Sequence, residues 1–177
     1  MHTAEARTLS MCIRRCPTVV YEFMANPYNL PLWASGLGSS IRAGTSADEG
    51  WIAETEQGST IIHFSPINDF GVLDHVVTLT SGASLFVPMR VLINGSGSEV
   101  LLTLFRQQDM SDERFEADAE WVIRDLTALK LLLDSFKPGP PAGTFSASEA
   151  DVLVSTQVSG GGAAPTALNP EVLARRA

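Results

Sequence analysis

The chain has 177 residues, 45% of them hydrophobic and 18% charged, with a formal net charge of −8 at pH 7. That length suits one domain, and 12 scattered Lys and Arg in an acidic chain exclude a protein that tracks nucleic-acid phosphates. No apolar run approaches the roughly 20 residues needed to span a bilayer, and the polar stretch 1–10 is not a secretion signal, so a cytoplasmic protein without membrane insertion is expected. Residues 7–15 alternate, with Leu9, Met11 and Ile13 on one side and Thr8, Ser10, Cys12 and Arg14 on the other, which predicts a half-buried first strand. Pro17 then stands where proline suits the first turn of a helix, and Val20, Phe23 and Met24 give that helix an apolar face. Asn26-Pro27 ends it, a second short helix covers 30–35, and Gly36, Gly38 and Gly44 permit a change of direction.

Five strands follow, at about 51–57, 60–65, 72–80, 84–93 and 98–106, separated by Gly58, Pro66-Asn68-Asp69, Ser81-Gly82 and Asn94-Gly95-Ser96-Gly97. Short turns between closely spaced strands mean an antiparallel meander. Val72 to Leu79 and Val100 to Phe105 are apolar on both faces, so both sides of the sheet are at least partly covered.

Ser111 is a suitable N-cap for the last helix, with Asp112 and Glu113 favouring the positive end of its dipole. Phe115, Ala119, Val122, Leu126, Leu129 and Leu133 recur at three- and four-residue steps, an apolar stripe about six turns long. Glu113, Glu116, Asp118, Glu120, Arg124, Asp125 and Lys130 read as its solvated face. Beyond Phe136, Lys137-Pro138-Gly139-Pro140-Pro141 and the Gly/Ala stretch 159–164 give 137–177 the composition of a flexible tail, in which a short strand at 151–156 and a helical turn at 170–176 lack the apolar surface to hold themselves in place.

Strand, two short helices, a meander and one long amphipathic helix make an α+β fold, a curved antiparallel sheet of six or seven strands wrapped on the last helix. The domain is 1–136. A curved sheet cannot close flat against a cylinder, and clefts left between such layers are common small-molecule sites. Over about residues 7–135 the chain resembles the SRPBCC superfamily, the START-like or helix-grip proteins, especially the polyketide cyclase/dehydrase and lipid-transport branch. The resemblance is carried by PTVVYEFMANPYNLPLW, Pro17 to Trp33, with its Asn-Pro break and its Leu-Pro-x-Trp segment. The stretches Phe70-Gly71-Val72-Leu73-Asp74-His75, Val87-Pro88-Met89-Arg90 and Thr103-Leu104-Phe105-Arg106 add to it. It implies a pocket for lipids, sterols, polyketides or plant-type hormones, and in a minority of members cyclisation or dehydration inside it.

His63 and His75 lie on strands expected to form a hairpin. With a loop of about seven residues their equal parity puts both on one face, where an imidazole pair could polarise a carbonyl or move a proton. Asp74, next to His75, points to the opposite face; Asp69 and Asp74 are candidates to pair with Arg90 or Arg106. His63, His75 and Asp74 are the catalytic candidates, with plain structural roles as the alternative. Trp33, which the resemblance puts at the cavity wall, together with Trp51, Phe64, His75, Met89 and Phe105, are the ligand-binding candidates, and Tyr21, Phe70 and Phe86 add apolar surface that serves a core equally well. Cys12 and Cys16 match neither a redox pair nor a zinc pattern, three histidines offer no clustered metal ligands, and phosphate-loop, Gly-x-Ser-x-Gly and His-Glu-x-x-His motifs are absent. No cofactor or metal is expected. The open readings are a binding module for a hydrophobic or aromatic small molecule, a cyclase or dehydrase using pocket His or Asp, and an interaction domain, with homodimerisation left open.

Overall fold

The computed structural model describes residues 3–37, 40–46, 49–55 and 58–135. The tail expected at 137–177, its strand and its helical turn lie outside the described residues. In chain order the elements are β1 (Ala6–Ile13), α1 (Pro17–Ala25), two 3-10 segments (Pro27–Leu32 and Ser35–Leu37), β2 (Ser40–Ala43), β3 (Trp51–Thr55), β4 (Gly58–Phe64), β5 (His75–Thr78), β6 (Ser84–Val87), β7 (Met89–Asn94), β8 (Gly97–Phe105) and α2 (Asp112–Ser135). This is the α+β architecture expected, with β2 as an additional edge strand that pairs with β3 from Ser40↔Glu54 to Ala43↔Trp51. Its four residues are too short a run to show period-two patterning.

All the pairings are antiparallel. One ladder runs β2-β3-β4-β5-β6 and another β1-β8-β7. The stretch expected as one strand at 84–93 is broken at Pro88, because proline has no amide hydrogen for the ladder. Pro88 O still accepts from Thr103 N (2.9 Å), but the reciprocal bond of that pair cannot form. The expected strand at 72–80 is likewise divided. Its last part is β5, while its first part crosses to β7: Val91 N donates to Gly71 O (2.9 Å) and Leu73 N to Met89 O (3.0 Å). These bonds stitch the two ladders into one bent layer.

The layer's concave side holds the core. Ile13, Ala53, Ile62, Met89, Val91 and Val100 from the strands meet Val20, Phe23 and Met24 of α1 and Leu126, Leu129 and Leu133 of α2, all buried. The stripe on α2 therefore faces the sheet as its spacing requires. Ser111 caps the helix start, accepting from Arg114 N (3.2 Å) through Oγ. At the other end Arg15 Nε donates to Leu133 O (2.8 Å) and Lys130 Nζ to Cys12 O (2.8 Å), so cations satisfy carbonyls at the helix C-terminus and at the end of β1. No helix among the described residues is long and apolar enough to cross a membrane.

Gly71 is the closest approach in the stitch. Its φ is +70°, and a Cβ there would stand 2.2 Å from Val91 O, a backbone atom that cannot yield. Gly82 has φ +83° but open space around it. Gly82→Ala is expected to carry only the left-handed backbone cost, about 1–2 kcal/mol, whereas Gly71→Ala loses clearly more in urea unfolding. Equal losses in the two variants would show that the stitch does not limit stability.

Candidate functional site

The strands, the 3-10 segments and α2 leave a cavity of about 250 Å³ between them. Leu30, Trp33, Ala34 and Gly36 close one side. Val77 and Leu79, then Leu85 and Val87, supply the strand wall, with Met89 and Leu102 to Phe105 beside them, and Val122 and Leu126 face them from α2. His75, Val77 and Leu79 share one parity, as strand alternation requires, whereas Leu102 to Phe105 at the end of β8 border the cavity consecutively. The cavity reaches the surface where Phe86 and Gln107, both exposed, border it. That opening lies between β6 and the end of β8, which no ladder joins.

Four of the expected ligand-binding residues, Trp33, His75, Met89 and Phe105, stand on the cavity wall. Trp51 and Phe64 do not. Trp51 packs edge-on against Tyr28, with ring centroids 5.0 Å apart, and Phe64 lies behind His75, its ring 5.3 Å from the imidazole.

The expected shared face of His63 and His75 is overturned. Phe64 pairs with His75 and His63 with Val76, because the connection spans the ten residues Ser65 to Asp74 rather than seven. Facing residues on these two strands therefore have opposite parity, and two of equal parity point to opposite sides. His63 is exposed on the outer face. His75 remains in the wall, with Nδ1 3.1 Å from Leu73 O, which makes Nδ1 the protonated nitrogen of the neutral ring. Burial pushes its pKa below the ordinary value, more than the bond to Leu73 and the nearby Asp74 charge push it up.

Asp74 points away from the cavity, as strand alternation requires, and forms an ion pair with Arg90 while accepting from Met89 N (2.9 Å). Although desolvation works against it, the Arg90 and Met89 bonds hold its pKa below the usual range. Arg106 takes other partners than Asp69 or Asp74: Glu5 at 3.0 Å and Asp112 at 2.6 Å.

The residues that sequence reasoning missed are on α2. Arg114, Asp118, Trp121 and Asp125 all line the cavity, although Asp118 and Asp125 were assigned to the solvated face. Their spacing of four, three and four residues is a stripe in its own right, beside the apolar one; charge masked it. Arg114 Nε lies 3.0 Å from Asp118 Oδ1. Asp125 Oδ1 accepts from Ser35 Oγ (2.7 Å) and Ser35 N (3.2 Å), which ties the second 3-10 segment to the helix. Burial raises the pKa of both carboxylates; for Asp118 it outweighs Arg114, and for Asp125 it outweighs the Ser35 bonds, the adjacent Trp121 and Arg124.

Three side-chain nitrogens are buried without a hydrogen-bond partner among the described residues: Trp33 Nε1, Arg114 Nε and Trp121 Nε1. Each belongs to a residue of this wall. Arg114 Nε keeps its ion pair but lacks hydrogen-bond alignment, and Trp121 Nε1 lies near enough to Asp125 to favour its charged form without aligning on it. A buried donor left in that state costs about 1–3 kcal/mol.

No protein-family model and no curated protein matches the sequence. Solved structures do match. XoxI from Bacillus cereus aligns with TM-score 0.59 and 18% identity over 73% of this chain and 96% of its own. Ara h 8.0201 aligns with TM-score 0.56 and 10% identity over 76% of this chain and all of its own (100%). DynU16, of the dynemicin biosynthetic locus, aligns with TM-score 0.60 and 12% identity over 77% of this chain but 49% of its own. At these identities the likeness is one of fold: the chain has the helix-grip architecture that its resemblance to SRPBCC proteins implied.

The depressed pKa of His75 sets a pH signature. As pH falls through about 6.5, its ordinary value, the unfolded chain takes up a proton that the folded chain resists, so stability falls until the folded pKa is reached. His75→Gln is expected to lose less melting temperature than the parent between pH 7.5 and 5.5. Parallel pH profiles for the two would show that the buried imidazole does not carry this term.

Proposed function

We propose that this protein holds a hydrophobic or aromatic small molecule in the cavity between its bent sheet and α2, carrying or sensing it without changing it. The observation that carries the reading is a hollow of about 250 Å³ kept open beside an otherwise buried, continuous core. Its lining is mainly Leu, Val, Met and aromatic side chains, and apolar pockets with a few placed polar groups are the usual form of ligand sites. Slightly below the roughly 300–1,000 Å³ of typical pockets, the space suits a compact molecule of one or two rings. The polyketide and lipid ligands of the resembling family belong to the same broad chemical class.

A catalytic reading, cyclisation or dehydration by general acid/base transfer, rests on His75. His63 faces outward and Asp74 is committed to Arg90, so neither can join His75 at a substrate. A neutral imidazole in the wall can accept a proton, but no neighbouring carboxylate orients it for that work, and binding without turnover accounts for more of the wall.

Prodan, a neutral two-ring naphthalene dye, added to the full chain is expected to bind saturably at one molecule per chain, with a blue-shifted emission. Val122→Trp, which places a larger side chain on the cavity face of α2, is expected to weaken that binding at least about tenfold, a loss of about 1.4 kcal/mol, with a cooperative melting transition retained. Linear, unsaturable uptake by the parent protein would defeat the proposal.

A further inference from the structure

The cavity is not uniformly oily. Besides Thr55, Thr60, His75, Thr103 and Gln107 on the strand side, its polar groups are the α2 stripe from Arg114 to Asp125 and Trp33, which is 7% exposed. Two features of this stripe and Trp33 bear on what enters the cavity. Their unpartnered atoms are all donors: the indole N–H groups of Trp33 and Trp121, and Arg114 Nε, which has only its ion pair. Their charges are one cation against two carboxylates, since Arg114 faces Asp118 and Asp125 has no ion pair among the described residues. Arg124 is exposed and stacks over the Trp121 ring at 5.2 Å, and it is not part of the wall. His75 adds no positive charge while neutral.

From these features we infer that the polar wall formed by α2 and Trp33 selects apolar molecules bearing an uncharged oxygen acceptor, such as a ketone, quinone or ester carbonyl, and rejects carboxylates. The inference rests on the cavity reading above. A carbonyl oxygen supplies the acceptor that the Trp33 N–H lacks and a better aligned one for the Trp121 N–H beside Asp125, and buried donors gain most from a partner where water is excluded. A carboxylate supplies the same acceptor but brings a negative charge beside Asp118 and Asp125, in a setting where like charges are weakly screened. A hydrocarbon is tolerated by the apolar walls but leaves the donors as they are.

The test is displacement of prodan from the full chain by three molecules of matched shape: 2-acetylnaphthalene, 2-ethylnaphthalene and 2-naphthoate. The ketone is expected to bind about tenfold tighter than the hydrocarbon, the yield of one recovered hydrogen bond, and the carboxylate weakest of the three. Trp33→Phe and Trp121→Phe keep an aromatic wall and remove the N–H. At least one of them is expected to bring the ketone down to the hydrocarbon's affinity while leaving the hydrocarbon unchanged. Should these variants not fold, Asp125→Asn keeps an acceptor for Ser35 and removes the charge, and it is expected to tighten 2-naphthoate selectively. Equal affinities for ketone and hydrocarbon, or tightest binding by the carboxylate, overturn this inference and leave the cavity reading standing. If none of the three displaces prodan, the cavity reading falls and this inference with it.

Discussion

Pro88 has one backbone group to offer a neighbouring strand where a non-proline residue has two, and the bend of the sheet follows from that deficit. Its carbonyl binds Thr103 N, so β7 stays with β8. The missing reciprocal bond ends the ladder there, and β6 turns away to pair with β5 alone. The two ladders part here, and Phe86 of β6 and Gln107 just beyond β8, both exposed, border the cavity at the surface. The bonds of Gly71 and Leu73 to β7 hold the two halves together on the far side of the break. One side of the layer is thus sewn shut while the other remains open.

The helix answers this division along its length. Toward its C-terminal end, Leu129 and Leu133 are fully buried, and Arg15 and Lys130 tie the last turns to the end of β1. Toward its N-terminal half, the face over the gap carries Arg114, Asp118, Trp121 and Asp125. Polar groups in a half-buried wall destabilise a fold unless they are partnered. Asp118 has Arg114 and Asp125 has Ser35, and burial still disfavours their charged forms. The protein therefore keeps an unfavourable arrangement at the cavity and a well-packed core elsewhere, the distribution found where local structure serves a ligand rather than stability.

Most of the architecture was legible from period alone. The alternation in 7–15 and the three- and four-residue steps from Phe115 to Leu133 each report a single buried face, and tertiary packing agreed with both. What failed were features decided by a single residue. The relation of His63 to His75 depends on whether the connection has an odd or even number of residues, and its Pro, Asn and Gly do not announce where pairing resumes. Asp118 and Asp125 looked solvated because aspartate in a helix usually is. No propensity distinguishes a helix face over solvent from one over a cavity. Trp121 was the available signal, since a large aromatic between two aspartates at i−3 and i+4 is out of place on a wholly solvated face.

The same geometry weighs carriage against catalysis. Proton transfer at a substrate needs a group of suitable pKa held in a fixed relation to the reacting atom, and a second group to orient it or take the opposite role. Strand alternation denies His75 both of its sequence neighbours in this sense, because Asp74 must face away and His63 sits on the wrong parity. Other polar groups reach the hollow from α2 and Trp33: indole N–H donors, and two carboxylates already held by Arg114 and Ser35. An indole N–H can bind and orient an oxygen but takes no proton from a carbon, and the engagement of both carboxylates is why the proposed role is recognition of the polar end of an apolar molecule rather than its conversion.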